Sequence, residues 1–145
     1  MFQHILTICT GNICRSPLAQ AMLKVKLTQR KPPVEVRSAG IGALVGHAVE
    51  STTKKLNADK GLELDTHCAT QITPALIRWA ELILVMEQHH LDYILSLEPS
   101  ARGKTFLLGH WTGTSIPDPY QRDETIHLTV HQLISDSVDT WVKNI

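Results

Sequence analysis

The sequence predicts an α/β protein. One domain, residues 1–145, is expected to carry a four-stranded parallel sheet flanked by helices on both faces, with a phosphate-binding loop after the first strand. Three observations predict it. Short apolar runs of β character alternate with segments of helical spacing along the chain, the pattern of strands joined by crossover helices. The first apolar run, His4-Ile5-Leu6-Thr7-Ile8, leads directly into Cys9-Thr10-Gly11-Asn12-Ile13-Cys14-Arg15-Ser16, a segment suited to curling round an anion ahead of a helix. The chain of 145 residues shows no internal repeat, low-complexity tract or linker, and it is long enough for one proper core.

The elements follow in order. His4–Cys9 reads as a buried strand and Ser16–Gln29 as a helix, with Leu18, Ala21, Met22 and Val25 at helical spacing. Ser16-Pro17 supplies an N-cap and a proline at the first helical position. Lys31-Pro32-Pro33 ends that helix, Val34–Ala39 is the second strand, and Gly40 to Gly46 is a glycine-rich loop. Glu50–Lys60 reads as a helix closed by Gly61, and Thr73–Trp79 as a short one capped by Thr73 with Pro74 in its first turn. Leu82–Met86 is a near-continuous apolar strand, Gln88–Leu97 a helix stopped by Glu98-Pro99, and Lys104–Leu108 the fourth strand. Gly109 to Asp123 is irregular, and Glu124–Asn144 is a terminal helix. Ligands of such sheets sit at the carboxyl ends of the strands near a switch in strand order, and Cys9 falls at that end of the first strand.

Composition narrows the function. Lysine plus arginine balance aspartate plus glutamate at 14 each, without the basic excess of a general nucleic-acid binder. No apolar run approaches a membrane span, so the chain is not expected to insert in a membrane, and the start shows no signal-peptide pattern. Three cysteines do not make a disulfide framework, and a reducing cytoplasm is the expected setting.

The segment from Cys9 to Ser16 carries the chemistry. Five residues (Thr10, Gly11, Asn12, Ile13 and Cys14) separate the thiol from Arg15, enough for backbone N–H groups to surround one phosphoryl group. Gly11 and Asn12 tolerate the unusual backbone angles such a curl needs. The inward dipoles and the Arg15 cation suit an anionic sulfur nucleophile at Cys9. Arg15 can chelate two phosphoryl oxygens with a planar fork that lysine cannot copy. Ser16 can donate its hydroxyl to the sulfur and ease its departure. A cysteine-dependent phosphatase also needs an acid to protonate the leaving oxygen. Asp118, between Pro117 and Pro119, is the candidate, with a backbone restricted enough to aim its carboxyl over the loop. By itself an Asp-Pro pair reads more readily as a turn; beside Cys9 and Arg15 the acid is the favoured reading. Tyr120 can line the slot for an aromatic substrate or simply pack.

These residues reach a known family. Cys9 to Pro17 (CTGNICRSP), Ser38–Gly40 (SAG) and Asp118–Tyr120 (DPY) closely resemble, in order and spacing, the low-molecular-weight protein tyrosine phosphatases. The resemblance implies a two-step reaction through a phosphocysteine with Cys9 as nucleophile, Arg15 as phosphate binder and Asp118 as general acid and base. It further implies that Asn12, Ser16, Ser38 and His67 form a hydrogen-bond network holding the loop in shape. The reaction so read is expected to require no metal or organic cofactor. Finer segments, among them SAGIGALVGH and HCATQI, resemble the bacterial branch associated with capsule and exopolysaccharide export, the Wzb type. That branch implies a phosphotyrosine-bearing partner, a membrane-bound bacterial tyrosine kinase. Leu44 stands where many relatives place a tryptophan, which suggests a more open slot. Ala48-Val49-Glu50 and Thr70 also depart from the family pattern.

Other readings compete. Arsenate reduction shares this loop but needs two further cysteines to relay a disulfide, and only Cys68 lies outside the loop. In related arginine-phosphate hydrolases a small threonine tends to occupy the place of Ile13, whose bulk suits an aromatic ester. An inactive phosphotyrosine reader would need neither Cys9 nor Asp118. The resemblance also implies that Cys9 and Cys14 can pair under oxidation; a small packing residue is the other reading of Cys14. Cys68 reads as packing, His89-His90 as the decoration or cap of a helix start, and Arg102-Gly103-Lys104 as solvated surface. Trp79, Trp111 and Trp141 read as core or edge packing. His127 and His131, four apart on the terminal helix, lack an evident third partner for a metal.

Overall fold

The computed structural model describes residues 2–145. Strands β1 (His4–Cys9), β2 (Glu35–Gly40), β3 (Leu82–Val85) and β4 (Thr105–Leu107) form one parallel sheet in the order β2-β1-β3-β4. The helices are α1 (Arg15–Leu27), α2 (Ser51–Leu56), α3 (Pro74–Trp79), α4 (Gln88–Leu97) and α5 (Glu124–Asn144), with short 3-10 turns at Pro99–Lys104 and His110–Thr112.

The side-chain alternation of β1 explains the two layers. Ile5 and Cys9 join Leu18, Leu23, Val130, Ile134 and Trp141 under α1 and α5. Leu6 and Ile8 join Ile77, Ile83, Val85 and Ile94 under α3 and α4. With both faces covered, the central strand Leu82–Val85 is apolar and buried at every position, whereas the edge strand β2 exposes Glu35 and Arg37. The chain runs from β1 to β2 on one side and then crosses to β3 on the other, so the crevice at the carboxyl end of β1 lies at the switch point.

Several boundaries differ from expectation. Helix α1 begins at Arg15 with Cys14 as N-cap residue, and its end falls at Leu27 rather than Gln29. Ser16 is not the cap because its hydroxyl is turned toward the loop, while Pro17 sits within the first turn, where a missing N–H costs nothing. Strand β2 lies one residue later than expected, β3 ends at Val85, and β4 is confined to Thr105–Leu107. Helix α2 is only Ser51–Leu56. Glu50 caps it, its carboxylate accepting from the Thr53 amide at 2.8 Å, and Asn57 ends it by donating its side-chain amide to the Thr53 carbonyl at 2.8 Å. Gly61 then occupies a turn at φ 66° rather than a helix C-cap. Cys68 is exposed rather than packed. Lys104 is not solvated surface, since its ammonium donates to the Ile77 and Ala80 carbonyls at 2.7 and 2.5 Å and so closes the C-terminal end of α3.

Candidate active site

The turn from β1 into α1 closes round a cavity of about 170 Å³ lined by Cys9, Thr10, Gly11, Ile13, Cys14, Arg15, Gly42, Leu44, Asp118 and Tyr120. Parallel strand ends bring its parts together. Cys9 is the last residue of β1, paired in register with Gly40 of β2, while the segment after β3 supplies Glu87 and the long segment after β4 supplies Asp118.

The loop's shape depends on Asn12, which is fully buried at φ 58°. Its side-chain amide donates to Ser16 Oγ at 2.8 Å and Ser38 Oγ at 3.0 Å. Its side-chain oxygen accepts from the Thr70 amide at 2.8 Å, and its backbone carbonyl accepts from His67 Nε2 at 2.7 Å. The carbonyl can only accept, so His67 carries its proton at Nε2; burial holds the ring's pKa below the ordinary histidine value, against the pull of that hydrogen bond. Asn12, Ser16, Ser38 and His67 are thus brought into one network. Gly40 is required beside it, because a Cβ there would lie 2.3 Å from the Thr10 carbonyl oxygen.

Cys9 Sγ lies 2.9 Å from Ser16 Oγ. Cys14 is buried, with its thiol pushed up to about 12, by burial first and then by the charge of Glu50. Arg15 is 2% exposed, and its Nη1 donates to Glu87 Oε1 at 2.5 Å and to the Ile116 carbonyl at 2.8 Å. Its Nη2 lies 3.8 Å from Asp118 Oδ2. Asp118 is half exposed, and its other oxygen accepts from the Tyr120 amide at 3.0 Å, an Asx turn that the flanking prolines support. Ile13, Leu44 and Tyr120 give the mouth apolar walls.

Three participants escaped sequence reasoning. Gln20 accepts from Ser38 Oγ at 2.6 Å, Glu87 holds Arg15, and His90 reaches Thr10 Oγ1 at 2.9 Å. The topology held a signal for the last two, since β3 runs beside β1 and must end beside Cys9. Glu87, His89 and His90 bring one ligand atom each within 4.8 Å of one another, a spacing that could suit a cation. Both His90 nitrogens and the Glu87 carboxylate are already engaged with the protein. His127 and His131 are buried, His131 against Asn57, and neither lines the cavity. Trp111 is half exposed with its edge to Trp141, and it does not line the cavity.

A parallel sheet presenting a thiol, a buried arginine and a carboxyl around one anion-sized cavity defines a cysteine-dependent phosphatase. Residues 4–145 match the family model described as low molecular weight phosphotyrosine protein phosphatase. The chain belongs to that family and is a low-molecular-weight protein-tyrosine-phosphatase. It is 40% identical over 144 residues to Wzb of Escherichia coli strain K12, covering 99% of this chain and 95% of that one. The crystal structure of Wzb from Escherichia coli K30 in complex with sulphate superposes with a TM-score of 0.92 at 42% identity, covering 99% of each chain. The fold is also shared with the YwlE arginine phosphatase of Geobacillus stearothermophilus, at TM-score 0.87 and 32% identity, covering 97% of this chain and 91% of that one. The Wzb-type resemblance therefore extends over the whole matched length.

Proposed function

We propose that this phosphatase hydrolyses phosphotyrosine through a phosphocysteine intermediate, with residues 1–145 acting as one catalytic domain. Cys9 Sγ attacks phosphorus in line; the P–O bond to the phenol breaks, and Asp118 gives its proton to the departing oxygen. Water then attacks phosphorus, Asp118 takes its proton, and the S–P bond breaks as Ser16 donates to the leaving sulfur. Arg15 and the amides of Thr10 to Ser16 hold the charge-rich trigonal phosphoryl group in both steps, the largest contribution expected. Both steps use only the chain's own groups and water. Asn12, Ser38 and His67 keep the loop in shape, and Leu44 and Tyr120 flank the substrate ring.

The observation that carries this reading is the convergence of Ser16 Oγ 2.9 Å from Cys9 Sγ with Asp118 Oδ2 3.8 Å from Arg15 Nη2. The apolar mouth formed by Ile13, Leu44 and Tyr120 favours an aromatic ester over phosphoarginine. The substrate protein we propose is a bacterial membrane tyrosine kinase of polysaccharide export. The setting we propose is the cytoplasm, where a free thiol nucleophile stays reduced. No helix among the described residues is long and apolar enough to cross a membrane.

The test is phosphate release from phosphotyrosine, phosphoserine and phosphoarginine peptides, with Cys9→Ser as blank and acid-quenched protein assayed for a phosphothioester. Turnover confined to phosphotyrosine, lost in the variant, and a trapped S–P adduct are expected. Preference for phosphoarginine would overturn the substrate reading, and full activity in Cys9→Ser would overturn the mechanism.

A further inference from the structure

Thr10 is the first residue after the nucleophile, and its hydroxyl sits between two donors. Arg15 Nη2 lies 3.5 Å from Thr10 Oγ1, and His90 Nε2 lies 2.9 Å from it. The role of His90 is fixed from its far side, where the Glu87 amide donates to Nδ1 at 3.0 Å. A backbone amide cannot accept, so Nδ1 is bare and the neutral ring bears its proton at Nε2, aimed at Thr10. Burial first, then the Arg15 cation, push the ring's pKa down to about 3, so it stays neutral at ordinary pH and keeps that tautomer.

Thr10 Oγ1 is therefore an acceptor toward both neighbours. A hydroxyl oxygen has two lone pairs, and with both facing donors its hydrogen is confined to the remaining direction. Among the described residues no carbonyl or carboxylate takes that hydrogen, and Thr10 lines the cavity shared by Cys9, Arg15 and Asp118. The acceptor that belongs in that cavity is a phosphoryl oxygen.

We infer that the Thr10 hydroxyl is a further donor to the substrate's phosphoryl group, and that His90 is a positioning residue acting through it. The inference rests on the phosphatase reading above. It also gives the Glu87-x-x-His90 capping box at the start of α4 a second role. The Glu87 carboxylate holds Arg15, while the Glu87 amide sets the tautomer that turns Thr10 toward the anion.

Four variants test it: Thr10→Val, which keeps the shape without the hydroxyl; His90→Asn, which can still accept from the Glu87 amide but is too short for Thr10; His90→Gln, which can carry an N–H to the Nε2 position; and the Thr10→Val/His90→Asn double. Each is assayed for kcat/KM on a phosphotyrosine peptide, for inorganic phosphate affinity by 31P NMR titration, and for Tm. Thr10→Val and His90→Asn are each expected to lower kcat/KM and phosphate affinity about tenfold, as loss of a hydrogen bond to a charged group does. His90→Gln should recover most of the loss, and the double variant should be no worse than Thr10→Val. Wild-type kinetics and phosphate affinity in Thr10→Val would overturn the inference. So would a His90→Asn loss of equal size with and without the Thr10 hydroxyl, which would mark His90 as structural only. Failure of the wild type on phosphotyrosine would remove the underlying reading instead, and the phosphate titration would still judge Thr10.

Discussion

The loop between β1 and α1 and the segment that carries Asp118 face the same cavity, yet they are held in different ways. Asn12, Arg15 and Ser16 are almost completely buried, and their polar groups are tied to β2, to the segment His67–Thr70 and to Glu87. Asp118 is half exposed and is steadied by a local bond to the Tyr120 amide. Its segment is anchored further back, where the Ile116 amide donates to the Met86 carbonyl at 2.9 Å and the Ile116 carbonyl accepts from Arg15. The difference suits the role proposed for each region. An oxyanion cradle gains from dipoles fixed before the substrate arrives, whereas a group that must hand a proton to the ester and later take one from water needs room to follow both.

The sharpest way to break the cradle is Arg15→Lys, which keeps the charge and removes the fork. A fall in kcat/KM of about a thousandfold is expected, similar for all leaving groups, in steady-state assays on a series of aryl phosphates. Asp118→Asn should cost about a hundredfold for poor leaving groups and little for good ones, because only poor ones need the proton. Equal losses across the series would deny the contrast between the two regions. Asn12→Ala removes two donors and one acceptor from the buried brace while touching neither nucleophile nor acid. It should cost about 1–3 kcal/mol in urea unfolding, for the polar groups left without partners, with an accompanying fall in phosphate affinity.

A further effect, with no expected bearing on turnover, lies outside both regions. His131, buried beside Asn57, has its pKa pushed down to about 4, by burial first and then by the neighbouring His127 and Lys60. The unfolded chain takes up that proton first, near the ordinary value of 6.5, so stability is full above that pH. It should decline as pH falls from 6.5 toward 4, at no more than about 1.4 kcal/mol per pH unit for one group. Urea midpoints at several pH values check this, and His131→Gln should flatten part of the slope. A change in turnover that tracked His131 would be unexpected, since it does not line the cavity.

Much of this was legible in the chain itself. Strand β1, the Thr73-capped helix α3 and the long helices α4 and α5 fall where periodicity and caps put them, because local signals and burial agree there. The thiol, the arginine and the distal aspartate, singled out by the chemistry proposed for them, do line one cavity. Helix α2 was overestimated because Asn57 gives its amide to the Thr53 carbonyl and leaves the helix, a choice favoured by its packing against α5. Ser16 looked like a cap because its other obligations, to Cys9 and Asn12, arise only once the loop has closed. Ser38 and His67 came from family resemblance alone, and Gln20 and Glu87 came from neither source. Each of these acts across a sheet neighbour, and one-dimensional spacing carries no trace of such pairing.

The left-handed Asn12 has a consequence for anyone who would transplant this chemistry. The eight residues from Cys9 to Ser16 look like a portable cassette, short enough to graft after the first strand of any doubly wound sheet. Its geometry, however, is stored elsewhere: in a hydroxyl on β2, an amide and an imidazole from the 67–70 segment, and a glycine, also on β2, whose missing Cβ makes space for the Thr10 carbonyl. A grafted octapeptide without those neighbours would carry the nucleophile and lose the curl. The smallest unit that can be moved is the loop together with its two supporting segments, β2 and residues 67–70.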